Sequence, residues 1–269
     1  MAFLGGGRIT SAIVAGLRRV GYGQPILVHD IHPEKLRRLK HEFGVAVEAD
    51  LARALQRAHL LLLAVRPESV GAVLAGGAFT SGVNSRASSR AIIGVSLAAG
   101  IPLARLRTLA PRGIVWVRAM PSPVCRTNPG LTALSFERQV PRAARREVRD
   151  FFLLMGTVVE IPESQLDAFT AVYSSSHGYH ALAALADAGM KIGLRRKTAL
   201  DAAAHALADG INAWRSGSAS LASLLKEAAT PGGVAEATMA AADHHGYRSA
   251  VEKGVREGMV RARRNARES

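Results

Sequence analysis

The amino-acid sequence predicts a doubly wound, mostly parallel α/β sheet followed by an all-α second domain, and three observations carry that prediction. Short, continuous apolar runs alternate with segments of helical spacing as far as Ile161, as expected of parallel strands covered by helices on both faces. Three glycines, Gly5-Gly6-Gly7, separate the first apolar run from the first helical segment. Beyond Gln165 no strand pattern remains, and Ala, Leu and small residues dominate. A chain of 269 residues suits two domains, and the change of pattern near Pro162 divides it into 1–162 and 163–269.

The elements follow in order. Residues 2–4 form the first strand, and Arg8 to Val20 then places Ile9, Ile13, Val14 and Leu17 at helical spacing. A second strand, Ile26 to Val28, leads to Asp30, and Pro33 opens a helix rich in Glu, Lys and Arg that stops at Gly44. Further strands are expected at Leu60 to Val65, Ala91 to Ser96 and Ile114 to Val117. The proline-rich stretch Met120 to Pro129 precedes a strand at Leu131 to Ser135, a basic helix through Met155 and a last strand at Thr157 to Ile161. In the second domain helical periodicity breaks at Gly189 to Gly193, Ser216 to Ser218 and Pro231 to Gly233.

Composition excludes several function classes. Hydrophobic residues make up 48% of the chain and charged residues 21%, a globular profile. The longest apolar run, Leu60 to Val65, is too short to cross a bilayer, and no signal-peptide pattern opens the sequence, so a cytoplasmic protein without a membrane partner is expected. The single Cys125 makes no internal disulfide, which fits a reducing compartment, and no motif marks it as a nucleophile. A net charge of +14 is spread along the chain, and its dense cluster, Arg261, Arg263, Arg264 and Arg267, reads as a solvated, frayed helix end. Charge so diffuse does not point to nucleic acid, and anionic small ligands are compatible with the field it produces. The histidines, His244-His245 included, lack metal-ligand spacing, so no metal site is expected.

The chemistry begins at Gly5-Gly6-Gly7-Arg8-Ile9-Thr10, of the form G-x-G-x-x-T between strand and helix. Such glycines allow a tight turn and close approach of a pyrophosphate to the amides and positive dipole end of the following helix, the Rossmann arrangement. Asp30, 23 residues after Gly7 and at the end of the second strand, stands where a carboxylate accepts hydrogen bonds from the adenosine ribose. It would repel a 2′-phosphate, which favours NADH over NADPH. The alternative is an ordinary residue on the approach to the Pro33 helix, and His29 and His32 beside it could themselves meet a phosphate.

Several further segments match one family in order and spacing. Leu4-Gly5-Gly6-Gly7, Ala64-Val65-Arg66-Pro67, Ser96-Leu97-Ala98-Ala99-Gly100-Ile101 and Val117-Arg118-Ala119-Met120-Pro121 resemble the successive landmarks of pyrroline-5-carboxylate reductases. Asp167-Ala168-Phe169-Thr170-Ala171-Val172, Ala184-Leu185-Ala186-Asp187-Ala188-Gly189, Gly193-Leu194-Arg195-Arg196 and Thr230-Pro231-Gly232-Gly233 are similar to the landmarks of that family's helical domain. The resemblance implies an NAD(P)H-dependent reduction of a cyclic imine, pyrroline-5-carboxylate to proline, by a homodimer or a larger ring of dimers whose all-α C-terminal domains serve dimerisation. It implies that Gly5, Gly7, Arg8 and Ile9 hold the pyrophosphate end of the cofactor. Ala64, Val65, Arg66, Pro67 and Ser96 would pass along the nicotinamide ribose, and Met120 and Pro121 would reach the substrate.

The substrate half departs from the family pattern. A Ser-Gly-Ser-Gly-Pro-Ala-Tyr loop is replaced by Tyr173-Ser174-Ser175-Ser176-His177-Gly178-Tyr179, two residues short when counted on to Asp187, with Ser175 matching the second serine. The Ser-Pro-Gly-Gly-Thr-Thr turn expected to hold the substrate carboxylate reads Thr230-Pro231-Gly232-Gly233-Val234-Ala235, so Thr230 keeps a hydroxyl while Val234 and Ala235 have lost theirs. Losing one charge-assisted hydrogen bond costs about 1.5–3 kcal/mol. Ser175, His177 and Thr230 are the catalytic candidates. His177 reads either as a proton donor to the imine nitrogen or as a space-filling helix cap. Two other readings stand beside pyrroline-5-carboxylate reduction: a paralogous reductase for another cyclic or carboxylated imine, and a non-enzymatic nucleotide-binding dimer.

Overall fold

A computed structural model of the chain describes residues 1–85 and 91–268. The chain forms two compact units, Met1–Tyr173 with Glu257–Ser269, and Ser174–Arg256.

The first unit is built on eight strands: β1 (Ala2–Leu4), β2 (Leu27–His29), β3 (Ala46–Val47), β4 (Leu60–Leu63), β5 (Ile92–Ser96), β6 (Ile114–Pro121), β7 (Gly130–Phe136) and β8 (Gly156–Glu160). They lie in the order β3-β2-β1-β4-β5-β6-β7-β8, parallel throughout except for the antiparallel pair β6/β7. The two-residue strand β3 has no sequence signal of its own. Its helices are α1 (Arg8–Arg19), α2 (Pro33–Phe43), α3 (Leu51–Gln56), α4 (Val70–Ala75), α5 (Gly77–Asn84), α6 (Leu103–Leu109), α7 (Arg142–Leu153) and α8 (Glu163–Val172).

Both sheet faces are buried, which is why the strands read as unbroken apolar runs. Along β4, Leu60 and Leu62 enter one core with Phe3, Val28, Val95 and the inner faces of α1 and α7. Leu61 and Leu63 enter the opposite core with Leu4, Trp116 and residues of α3 to α6. Helix α2 starts at Pro33 and ends on the left-handed Gly44, the stop signals present in its sequence. Helix α8 is fastened by charge. Arg118, 2% exposed on β6, donates to Glu163 at 3.2 Å and to Asp167 at 3.0 Å, and Glu163 also accepts the Leu103 amide at 2.7 Å.

The second unit contains α9 (Ser175–Lys191), α10 (Arg196–Ser216), α11 (Leu221–Ala228), α12 (Val234–His244) and the start of α13 (Tyr247–Glu268). Its core is a small alanine cluster, Ala186, Ala199 and Ala203, between α9 and α10. Neither α11 nor α12 buries a side chain among the described residues. Ile192, Val234 and Tyr179 are at least two-thirds exposed. No described helix is long and apolar enough to cross a membrane.

The arginine-rich end corrects one expectation. It is helical to Glu268 and returns to the first unit, where buried Ala262 presses on Gly100 and Asn265 Nδ2 donates to the Ala99 carbonyl at 3.2 Å. A Cβ at Gly100 would overlap the Ala262 carbonyl, and its φ of +83° is itself a glycine conformation. Ala262 and Asn265, the small and amide residues of this basic stretch, dock it. Arg263 and Arg264 stay exposed, and the side chain of Arg267 lies outside the described residues.

Candidate active site

Strand register brings the sequence candidates of the first unit to one edge. Leu4 pairs with His29 and with Leu63, Leu63 with Ser96, and Ser96 with Arg118. Gly5, Asp30, Ala64 and Leu97 therefore leave the sheet side by side at its carboxyl end. Because β1 is flanked by β2 and β4, the chain reverses direction across the sheet there, and doubly wound sheets bind ligands at such a switch point.

The three glycines have separate causes. Gly5 has a φ of +105°, and a Cβ on it would sit 2.6 Å from the Ala64 carbonyl, so close packing against the end of β4 demands it. Gly6 lies against α2, where a Cβ would meet Leu39 at 3.1 Å. Gly7 has an ordinary φ of −78°, and a Cβ there would meet nothing within 4 Å. Among the described residues no packing contact requires that glycine, so the start of α1 is left open above it. The first turn of α1 carries no acidic residue, and its amides are free helix-start donors. Arg8 is exposed and Ile9 half-buried at this opening. These residues fit a dinucleotide pyrophosphate.

Asp30 is not available in the way its position suggests. Its side chain is only 6% exposed. Oδ2 accepts the Gly6 amide at 2.7 Å, Oδ1 accepts the His32 amide at 2.9 Å, and Lys35 Nζ stands 3.3 Å from the carboxylate. Burial alone would raise its pKa, but the two amides and Lys35 outweigh burial and hold it below the usual carboxylate value. Asp30 braces the glycine turn through the Gly6 amide and shares its charge with Lys35.

Along the same edge Ala64, Val65 and Pro67 are half-buried, and Arg66 is exposed beside Glu68 at 3.8 Å. Ser96 is buried with its Oγ accepting the Ala98 amide at 3.3 Å. Met120 is half-buried and Pro121 buried. Ser122 Oγ accepts the Val124 amide and starts a short 3-10 turn, Pro123–Arg126. That turn packs on α1 so tightly that a Cβ at Gly16 would lie 2.5 Å from the Cys125 carbonyl. Burial pushes the Cys125 thiol up to about 11, consistent with a packing role.

In the second unit, Ser174 and not His177 caps a helix, its Oγ accepting the Ser176 amide at 3.3 Å. Ser175 is half-buried and His177 exposed in the first turn of α9. Thr230 is exposed in the turn before α12. Gly232, with a φ of +75°, and Gly233 close that turn, whose Gly233 amide donates to the Thr230 carbonyl at 2.8 Å. The first helical bond runs from Ala237 to Gly233, leaving Val234, Ala235 and Glu236 as the amide donors of the helix start. Gly232 is engaged from another side: its amide donates to the Glu236 carboxylate at 2.7 Å. Sequence reasoning passed over Glu236, Lys35 and Tyr173. The hydroxyl of Tyr173 accepts the Leu131 amide at 2.7 Å and pins the chain just before Ser174. Among the described residues no three His, Cys, Asp or Glu side chains form a metal-holding group.

Comparison with known proteins places this geometry. Residues 163–265 match the model for pyrroline-5-carboxylate reductase dimerisation, and residues 1–95 match that for NADP oxidoreductases, coenzyme F420-dependent. A pyrroline-5-carboxylate reductase of Mycobacterium tuberculosis is 33% identical over an alignment of 282 residues covering 97% of this chain and 95% of the relative. One from Synechocystis is 30% identical and covers 97% and 96%. In fold, the chain is similar to the reductase structure from Coxiella burnetii, with a TM-score of 0.84, 23% identity and coverage of 98% and 97%. It is also similar to the pyrroline carboxylate reductase of Plasmodium falciparum with NADP bound, with a TM-score of 0.86, 18% identity and the same coverage. Similarity at this level over nearly the whole of both chains, joined to a matching helical domain, means that the chain belongs to the pyrroline-5-carboxylate reductase family.

Proposed function

We propose that this protein reduces 1-pyrroline-5-carboxylate to proline with a nicotinamide dinucleotide. The observation that carries the reading is Gly7, a glycine that packing does not require, over a helix start at the switch point of the sheet, in a chain 33% identical to a reductase along its length. When bound, the reduced nicotinamide supplies a hydride to the imine carbon, and a proton joins the imine nitrogen to give the secondary amine and the oxidised cofactor. Gly5 shapes the turn, while Gly7, Arg8 and Ile9 receive the pyrophosphate on the free amides of α1. Ala64 to Pro67 and Ser96 flank the nicotinamide ribose, and Met120 and Pro121 close the substrate end. Ser175 and Thr230 orient the imine and its carboxylate. His177, with Ser174 already capping α9, is left as the proton donor of this reading.

The second domain, 163–269 in this reading, starts where the dimerisation match starts. A homodimer follows from helices that bury almost nothing on their own while exposing Tyr179, Ile192 and Val234. A ring of dimers extends the same packing.

One observation favours the paralogous reading, in which another cyclic imine is the substrate: the Glu236 carboxylate occupies the Gly232 amide in the turn expected to hold a substrate carboxylate. Oxidation of NADH and NADPH measured with five- and six-membered cyclic imino acids tests both. Turnover with the five-membered acid is expected. Turnover with the six-membered acid alone selects the paralogous reading, and none with either leaves only a nucleotide-binding dimer.

A further inference from the structure

We propose that Asn265, with Ala262 one turn before it on α13, is a positioning residue for the nicotinamide end of the cofactor, acting through the loop that follows β5. A doubly wound sheet carries a dinucleotide across the carboxyl ends of its strands, outward in both directions from the glycine turn after β1. In the order β2-β1-β4-β5 the adenosine lies toward β2, so the other end of the cofactor lies over β4 and β5. The loop 97–102 leaves β5 there, two strand spacings or about 10 Å from β1. Its side chains are occupied by packing: Leu97 enters one core, and Ala98 and Ile101 enter the other. What the loop can offer a ligand is therefore backbone, and the direction of that backbone is set by what grips it.

Three separate contacts grip it. At its start the Ser96 hydroxyl accepts the Ala98 amide at 3.3 Å. At its end the Glu163 carboxylate accepts the Leu103 amide at 2.7 Å while receiving Arg118 at 3.2 Å, which ties the loop to α8 and β6. Its middle turns on the left-handed Gly100, and here α13 takes hold. Buried Ala262 packs its backbone carbonyl against Gly100, and Asn265 Nδ2 donates to the Ala99 carbonyl at 3.2 Å. Residues three apart on a helix share a face, so both meet the same turn of the loop. Asn265 and Ala99 are only half-buried, so their hydrogen bond lies at the rim of the core, where it adds little to packing but fixes how the Ala99–Gly100 peptide faces the ligand edge. Precision at that edge matters for rate, since a misplacement of about 1 Å can cost about a hundredfold.

The proposal rests on the reading of a nicotinamide-dependent reductase, but a titration without any imine decides it. NADH and NADPH are each compared with the matching fragment that lacks the nicotinamide, ADP-ribose and its 2′-phosphate, on the whole protein by calorimetry. Asn265→Ala and the near-isosteric Asn265→Asp, which replaces the donor by an acceptor, are expected to weaken the dinucleotides about two- to tenfold and to leave the fragments unchanged. With pyrroline-5-carboxylate, kcat should fall about tenfold or more while the KM for the imine stays within about twofold. Arg263→Ala, an exposed change on the same helix, should alter none of these. Equal losses of dinucleotide and fragment in the Asn265 variants would overturn the proposal, as would unchanged affinities with kcat retained. Failure of Asn265→Ala to fold, read as loss of its thermal transition, would overturn it too, because the contact would then serve the fold. Absence of imine turnover in the unaltered protein would remove the reductase reading, and the ratio of dinucleotide to fragment affinity would still decide this one. Binding of neither dinucleotide would remove both.

Discussion

Asp167→Ala removes one of the two carboxylates that face the Arg118 guanidinium, and the structure sets the size of the effect. Arg118 is 3% exposed at its side chain, and its Nε has no hydrogen-bond partner among the described residues. Stripping a buried charge of its partner costs about 3–5 kcal/mol when nothing replaces it. Here Glu163 remains at 3.2 Å, and Asp167 is itself 20% exposed, so water repays part of the loss. The expected cost falls to about 2–3 kcal/mol, near the range for one charged hydrogen bond plus some uncompensated burial. For a folded unit of this size that is a fall in Tm of about 4–12 °C, read by calorimetry at fixed protein concentration because association also raises Tm. Asp167→Asn, which keeps an acceptor oxygen, should lose less than half as much. A loss below about 0.5 kcal/mol for Asp167→Ala would put the pair among ordinary surface ion pairs and refute the view that charge fastens α8 to the sheet.

Gly7→Ala should leave Tm unchanged and weaken dinucleotide binding about tenfold or more, whereas Gly5→Ala should destabilise the fold through its φ of +105° and the Ala64 carbonyl. Titration calorimetry beside thermal melts separates the two, and equal behaviour of both variants would contradict the division of roles. The Cys125 thiol, raised to about 11 by burial, should react with iodoacetamide at pH 8 only as fast as the protein opens; labelling at the rate of a free thiol would show that it is not packed. The sign follows from linkage: the folded state holds this proton more tightly than an unfolded thiol of pKa about 8.5, so the stabilisation is complete below that pH and is lost as pH rises toward 11. Glu236→Gln should lower the KM for pyrroline-5-carboxylate several-fold by removing a negative charge from the turn before α12, and an unchanged KM would place the substrate carboxylate elsewhere.

The sheet was readable because β1, β2, β4 and β5 are buried along their whole length, and strands covered on both faces read as near-continuous apolar runs. Leu60 to Leu63 divides its side chains between two cores and so leaves an unbroken signal. The two-residue β3 buries little and gives no such signal, since Ala46 is exposed and Val47 only half-buried. Helix ends were readable where a residue acts through its own backbone, as Pro33 and Gly44 do. The docking of the last helix was not, because an Ala and an Asn within an arginine-rich stretch announce nothing until Gly100 is seen beneath them.

The site shows the same limit at the level of single side chains. Position along the fold marked Asp30 correctly as the end of the second strand, and the motif tied a carboxylate there to the ribose. Whether a carboxylate at that point faces a ligand or its own turn depends on two amides and a lysine one helical turn away, and none of these distances is a spacing in the sequence. Lys35 follows Asp30 by five residues and reads as one more cation on a basic helix. Arg118 offered a better signal, a charge inside an apolar strand with two acids one turn apart on a later helix, Glu163 and Asp167. Buried charge must find a partner, so such an arginine predicts its carboxylates, whereas an aspartate at a surface edge leaves open which of its neighbours it will serve.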